Sequence, residues 1–562
     1  MTSTPSAAAE PGQMTHRQIM EALTGLLLAM FVAMLSSTVV SNALPAIVRD
    51  LNGSQTGYTW VVVATLLTMT ATTPIWGKLA DLFSKKMLVQ VALGIFALGS
   101  VIAAAAPSMG ALIGARAVQG VGVGGLTALV QVVIATMVSP RERGRYSGYI
   151  GAVFATATVS GPLLGGVVVD SPLGWRGCFV LLLVPAAIAL VVLQKTLRLP
   201  VVRRDVKIDY LGALLVMAGI SLLLVWVSLA GSSFAWTSPT SYALVVGSVV
   251  LIAAAIFVEA KVAVEPVIPL RLFRDRTTAL ATVASVMIGV AMFGATVYLS
   301  QYFQTSRGMS PTEAGLMSIA MVGGLLVSSI VSGKIITRTG RWKRWLVSGM
   351  VLLIVGIALL GTIDATTSLW IVGLFMALVG LGVGATMQNL VLAVQNNTAV
   401  ADLGAASSVV AMFRSIGGSV GVAVLGAVLA HQVAGQFKDG IAALTASGRL
   451  SPEQLDQLRH STGDIPDVAK LPGPLAEIYT SSFGEATGHI FAVAVPFAVF
   501  AFVCILFIKE VPLRTSNLSA SKSEVEAGLV AAGEPRDYPA YVEPDEVAEG
   551  GADRAEGTGR DR

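Results

Sequence analysis

Along most of the chain, apolar residues run on for twenty or more positions at a stretch, and polar residues collect in short intervals between them. A helix needs about 20 apolar residues to cross the hydrocarbon of a bilayer. Fourteen such runs are present, at about 20–44, 58–80, 87–107, 110–136, 146–170, 177–197, 209–230, 241–261, 278–303, 314–337, 344–363, 367–394, 404–431 and 488–508. They predict fourteen transmembrane helices, and an even number places both ends of the chain on one side.

Lysine and arginine choose that side. Alternate loops hold Lys85 and Lys86; then Arg141, Arg143 and Arg145; then Lys195, Arg198, Arg203, Arg204 and Lys207. The series continues with Arg271, Arg274 and Arg276, and with Arg338, Arg341, Lys343 and Arg344. The intervening short loops hold isolated residues, Arg49, Arg176 and Arg307. Basic loops stay in the cytoplasm, so both termini are expected there.

Composition narrows the class further. Only 12% of residues are charged and 54% are apolar, against about 25% charge in a soluble domain, which excludes a water-facing exterior over most of the chain. The net charge of +4 hides an acidic tail beyond residue 514 and a basic remainder. That basic excess belongs to loops facing anionic lipid, and no nucleic-acid partner is expected. Cys178, Cys504 and four scattered histidines make no ligand cluster, so no metal or cofactor is expected. The first apolar run is too long for a signal-peptide core and lacks a clear cleavage site, so it is read as a span. No phosphate-binding GxxxxGK[ST] loop and no nucleophile–base pair are present, which argues against direct ATP drive and against an enzyme.

The two ends of the chain repeat each other. Gly77-Lys-Leu-Ala-Asp81 follows the second span and Gly333-Lys-Ile-Ile-Thr337 the tenth; Gly161-Pro-Leu-Leu-Gly165-Gly166 lies in the fifth and Gly417-Gly418-Ser-Val-Gly421 in the thirteenth. Gly77 and Gly333 lie 256 residues apart, as do Gly161 and Gly417. Six-span repeats belong to transporters that rock about a midplane site. The expected organisation is an N-terminal segment 1–19, a six-helix bundle 20–197 and two extra linker helices in 198–276. A second six-helix bundle follows at 277–510, with an external segment 432–487 carrying a short capped helix at Ser451-Pro-Glu-Gln454, and then a disordered acidic tail 511–562.

These features resemble the major facilitator superfamily, and within it the fourteen-span drug:proton antiporter family, over about residues 20–510. Gly77-Lys-Leu-Ala-Asp81-Leu-Phe-Ser-Lys85-Lys86 resembles the superfamily's signature between spans two and three, and Leu112-Ile-Gly-Ala-Arg116-Ala-Val-Gln119-Gly120 its fourth-span motif. Ser160-Gly161-Pro162-Leu-Leu-Gly165-Gly166 is similar to the fifth-span antiporter motif, and Glu265-Pro-Val-Ile-Pro-Leu-Arg-Leu-Phe273 to a linker of fourteen-span members. The resemblance implies an all-α fold of fourteen helices arranged six, two, six, and multidrug efflux by antiport driven by the proton gradient. In one respect the chain departs from the family: Ser36 stands where members commonly carry a first-span aspartate, so no acidic coupling residue carries over into that span.

Candidate residues follow from motif and position. Asp81, with Gly77, Lys85 and Lys86, is expected to form a conformational gate. Arg116 and Arg414 lie within spans, where a charge costs several kcal/mol unless it faces a cavity or a partner; they are candidates for coupling or cavity charge. Gly161, Pro162, Gly165 and Gly166 are expected to serve close helix approach between the halves. Ser36, Ser37, Ser41, Asn42, Tyr298, Gln301, Gln388 and Asn389 are candidates to line a substrate cavity. Ser310-Pro311-Thr312-Glu313 reads as a helix cap, which removes Glu313 as a proton carrier.

The expected activity is secondary export of amphipathic small molecules by alternating access across the plasma membrane of a bacterium. No carboxylate falls at the centre of a span, so neutral or anionic amphiphiles are favoured over lipophilic cations. Two other readings stay open: an exporter of lipid or cell-envelope components, and a non-transporting sensor or scaffold derived from a transporter.

Overall fold

A computed structural model describes residues 16–51, 55–169, 171–197, 209–231, 234–263, 265–446 and 473–514. Among them are fourteen long helices. The first six are α1 (His16–Asp50), α2 (Gln55–Leu82), α3 (Lys85–Ala104), α4 (Met109–Met137), α5 (Pro140–Val169) and α6 (Gly174–Thr196). Two more follow, α7 (Tyr210–Leu229) and α8 (Pro239–Lys261). The last six are α9 (Arg276–Gln301), α10 (Pro311–Thr339), α11 (Lys343–Leu360), α12 (Leu369–Asn397), α13 (Leu403–Ala446) and α14 (Gly473–Leu506). Thirteen helices are long and apolar enough to cross a membrane by length and composition; α5, 30 residues long, is the remaining one.

Packing repeats as the sequence does. In the first bundle α1 lies on α5 and α6, α2 on α4, and α3 on α4 and α6. In the second, α9 lies on α13 and α14, α10 on α12, and α11 on α12 and α14. Each bundle has its own apolar core, one around Phe96, Leu126 and Phe179, the other around Tyr302, Trp342 and Phe491. The bundles meet along two related seams, α2 on α13 and α5 on α10. The extra helices break this symmetry. Helix α7 packs on both α2 and α13, through an apolar cluster of Ala71, Val216, Ile220, Leu224 and Met412.

The segment 432–487 differs from expectation. Residues up to Ala446 continue α13, and α14 begins at Gly473. Between His431 and Ala446 the chain carries polar side chains but no proline, and polar side chains do not stop a helix. The two extensions also support each other: Phe437 and Tyr479 meet edge to face at 5.4 Å. The capped helix at 451–454, the tail from 515 and the first 15 residues lie outside the described residues.

Short turns are closed by side chains. Between α11 and α12 the Asp364 carboxylate accepts from the Thr366 amide at 2.7 Å and from the Thr366 and Thr367 hydroxyls at 2.7 and 2.9 Å. These bonds, that of the Thr366 hydroxyl foremost, hold the Asp364 pKa below its ordinary value. A depressed carboxylate contributes stability above its unfolded pKa and loses it as pH falls through the folded value. The protection of this turn's amides, relative to their intrinsic exchange, is therefore expected to fall as pH drops from the usual carboxylate value through the lowered one, and Asp364→Asn to remove that pH dependence.

Candidate functional site

The polar contacts that join the two halves gather at the end of the molecule that carries the basic loops. Asp81, at the last turn of α2, caps the other half: its carboxylate accepts from the Gly404 and Ala405 amides, at 2.9 and 3.0 Å. These amides open α13, where free N–H groups and the helix dipole favour a negative charge. The approach is close enough to need glycine on both helices. A Cβ on Gly77 would stand 2.6 Å from the Gly404 carbonyl oxygen, and one on Gly404 would stand 2.6 Å from the Asp81 carboxylate.

The second seam closes with different chemistry. Thr337 occupies the place related to Asp81, and there Arg141 of α5 donates to the Thr337 and Arg338 carbonyls at 3.3 and 3.4 Å. Beside it the buried Arg143 donates to its own half, the Val138 carbonyl at 2.9 Å, and across to Gln395 of α12 at 3.0 Å. Gln395 in turn donates to Ser407 of α13 at 2.8 Å.

The segment between α8 and α9 straps the first seam. Lys78 of α2, only 5% exposed, pairs with Glu265 at 2.5 Å. Glu259 holds the strap to α8 by accepting from the Val267 and Ile268 amides at 3.0 and 3.2 Å. Arg271 reaches Asp402 at 2.9 Å, just before α13, and Phe273 meets Phe413 edge to face at 6.2 Å.

Away from the basic end the close glycine contacts of the α5 seam end. On α5 a Cβ at Gly148 would press on Ile330 of α10, 2.8 Å away. Gly166 lies eighteen residues further on, five full turns or about 27 Å along the same face, and a Cβ there would meet nothing within 4 Å. Gly323, two turns from Ile330 on α10, faces open space as well. The halves are thus bonded at the basic end, and at the opposite end Gly166 and Gly323 make no close contact across this seam.

The other candidate residues sort by their partners. Lys86 is not at the seam: it donates to the Gln194 carbonyl of α6 at 2.7 Å, within its own bundle. Gly161 also serves its own bundle, since a Cβ there would press on the Thr38 side chain of α1. It lies about 220° around α5 from Gly148, which turns it from α10 to α1. Gly165 likewise stays within the bundle, its carbonyl facing the Cys178 thiol of α6 at 3.9 Å. Gly166, in ideal helical phase with Gly148, makes no close contact with either half.

Arg116 is buried among α2 and α4. It donates to the Val61 carbonyl at 3.4 Å and to Gln119 at 2.5 Å, and Gln119 passes the chain on to Ser100 of α3 at 2.8 Å. Such a relay satisfies a buried guanidinium without an acid. Ser36 is fully buried and donates back to Ala33 at 3.1 Å, whereas Ser37 is exposed. Tyr298 donates to the Val422 carbonyl and Asn389 to Ala385 at 2.7 Å; both are committed to helix packing. Gln301 is exposed and Gln388 half-buried. Glu313 is held in a capping box with Ser310. The side chains of Ser41, Asn42 and Pro162 lie outside the described residues. Lys78, Arg143, Glu265 and Gln395 were not singled out from the sequence as seam residues. Lys78 and Glu265 lay inside quoted motifs and Arg143 in the basic loop that had served to orient the chain, but nothing paired them.

Comparison with known proteins bears on these features. Residues 26–422 match the model of the Major Facilitator Superfamily. The chain is 31% identical over 529 residues to the multidrug transporter protein MdtP of Bacillus subtilis, covering 91% of this chain and 96% of that protein. It is 34% identical over 518 residues to an uncharacterized MFS-type transporter of Mycobacterium tuberculosis, covering 92% and 73%. The fungal efflux pump dotC of Dothistroma septosporum is 33% identical over 500 residues, covering 88% and 84%. Among solved structures, the human organic anion transporter MFSD10 superposes with a TM-score of 0.58 at 14% identity, covering 86% of this chain and 99% of that one. The proton:xylose symporter XylE superposes with a TM-score of 0.54 at 15% identity, covering 86% and 96%.

Proposed function

Because the chain belongs to the Major Facilitator Superfamily, we propose that it is a secondary exporter of amphipathic small molecules working by alternating access with proton antiport. One observation carries the reading. Two related seams are bonded across the halves at the basic end, while at the opposite end Gly166 and Gly323 of the α5 seam make no close contact. A carrier that alternates needs contacts that exist in one conformer and are absent in the other, and the Asp81 cap on α13 is of that kind. The relatives named as a multidrug transporter and as an efflux pump support export of drug-like molecules. The basic loops support cytoplasmic termini in a cell membrane, and the bacterial relatives a bacterial host.

The substrates are neutral or anionic. Along α4, α9 and α12 the chain has no aspartate or glutamate at all, and a lipophilic cation deep in low dielectric needs a counter-charge. The test is dye accumulation in inside-out vesicles from cells making the protein. Fluorescein is expected to accumulate on energisation and to be lost on adding a protonophore. Protonophore-sensitive accumulation of ethidium instead would keep the exporter and overturn the charge preference. No flux of any dye by well-folded protein would end the exporter reading.

A further inference from the structure

Arg414 lies eleven residues into α13, about 16 Å along the helix and so about halfway through a hydrocarbon core of about 30 Å. It is 9% exposed, and among the described residues it has no hydrogen-bond or ion-pair partner. Nor are its nitrogens sealed against protein, since none is among the buried polar atoms left without a partner. The guanidinium is thus nine-tenths buried, deep inside the molecule, with no group among the described residues taking its charge.

The register of α12 and α13 identifies what stands opposite. These antiparallel helices are pinned by the Gln395–Ser407 bond. Two turns outward from each, about 10 Å along, are Gln388 on α12 and Arg414 on α13. Gln395 also takes the hydrogen bond from Arg143 of the other half, so this face of α12 borders the interior between the halves. Gln388 is half-buried and, like Arg414, has no partner among the described residues.

No carboxylate neutralises this position. The helices packed on α13 are α2, α4, α7, α9, α12 and α14. Helix α2 brings Asp81, which is spent on the Gly404 and Ala405 amides; α4, α7, α9 and α12 bring no acid. Helix α14 brings Glu477 and Glu485, toward its far end, with Glu485 exposed. A cation held at midplane without a counter-ion is stable only if something negative shares the space.

We propose that Arg414 and Gln388 form an anion-recognition site between the halves, and that the exporter's substrates carry a carboxylate, sulfonate or phosphate on an apolar body. The fork of Arg414 takes the anion in two parallel hydrogen bonds, and the Gln388 amide adds a third donor. The proposal rests on the exporter reading for its physiological meaning, but its test does not: equilibrium binding requires no flux.

The test uses purified full-length protein in phosphatidylcholine nanodiscs, with fluorescence anisotropy of two dyes sharing a three-ring frame, anionic fluorescein and cationic rhodamine 123. Fluorescein is expected to bind at least about tenfold more tightly, which is about 1.4 kcal/mol. Arg414→Gln is expected to erase that difference, Arg414→Lys to keep most of it, and Gln388→Leu to weaken fluorescein alone. The wild-type dye preference tests the proposal even if Arg414→Gln fails to fold. Suppression of fluorescein binding by phosphatidylglycerol in the disc supports the anion site and assigns it to a lipid headgroup. Rhodamine binding as tight as fluorescein, no fluorescein binding by folded wild type, or an unchanged preference in folded Arg414→Gln overturns the proposal.

Discussion

Export by an Asp81→Ala variant is expected to fall more than tenfold while the protein still folds and reaches the membrane. The carboxylate makes two charge-assisted hydrogen bonds to the start of α13, together worth about 3 kcal/mol. These bonds join two halves, so their loss falls on the closed conformer rather than on either bundle's core. Asp81→Asn keeps an acceptor but no charge, and is expected to lie between wild type and alanine. A cysteine at Ser408, which is buried beside Gly77, reports the same change. Its labelling by a water-soluble maleimide is expected to be slow in the wild-type background and fast in Asp81→Ala. Equal labelling in both, with export lost, would assign Asp81 to something other than closure.

A comparable loss is expected from Glu265→Leu, for a different reason. It leaves Lys78 buried with a positive charge and no partner, a situation that costs about 3–5 kcal/mol. The double variant Lys78→Met, Glu265→Leu removes both charges and is expected to recover thermal stability. If the strap only stabilises, export recovers with it. If the strap also times the opening of the first seam, the double variant is stable yet has altered turnover, with α2 no longer tied to the segment that holds α13. A double variant as unstable as the single one would show that the pair is not what Glu265 supplies.

Much of this architecture was legible because the bilayer imposes a length scale on sequence. Runs of about twenty apolar residues located all fourteen helices, and the 256-residue spacing of Gly77 and Gly333 announced two related bundles. Asp81 could be singled out from its motif as a candidate for contact between the halves. Its partners could not, since Gly404 and Ala405 contribute only backbone amides, which no residue type advertises, from more than three hundred positions away. The strap was hidden for a similar reason: Lys78 and Glu265 are 187 residues apart, in two separate motifs that do not point to each other. The glycine motif on α5 misled in orientation alone. Gly161 is a close-packing glycine as expected, but helical phase turns it to α1. Arg116 and Arg414 look alike in sequence, each a lone arginine in a span. Only packing distinguishes them, one spent on Val61 and Gln119, the other buried with no partner among the described residues.

The placement of α7 makes the two seams unequal toward the surrounding lipid. Where α2 meets α13, a third helix lies across the junction and presents Leu211 and Leu214 outward. Where α5 meets α10, no helix of the extra pair is packed over the junction. Among the described residues, the first junction is thus covered by a third helix on its lipid side and the second is a bare two-helix seam. If the proposed exporter takes lipophilic cargo through the bare seam, apparent affinity measured against aqueous dye is expected to track the dye's partition coefficient, because the concentration that governs entry is then the one in the leaflet.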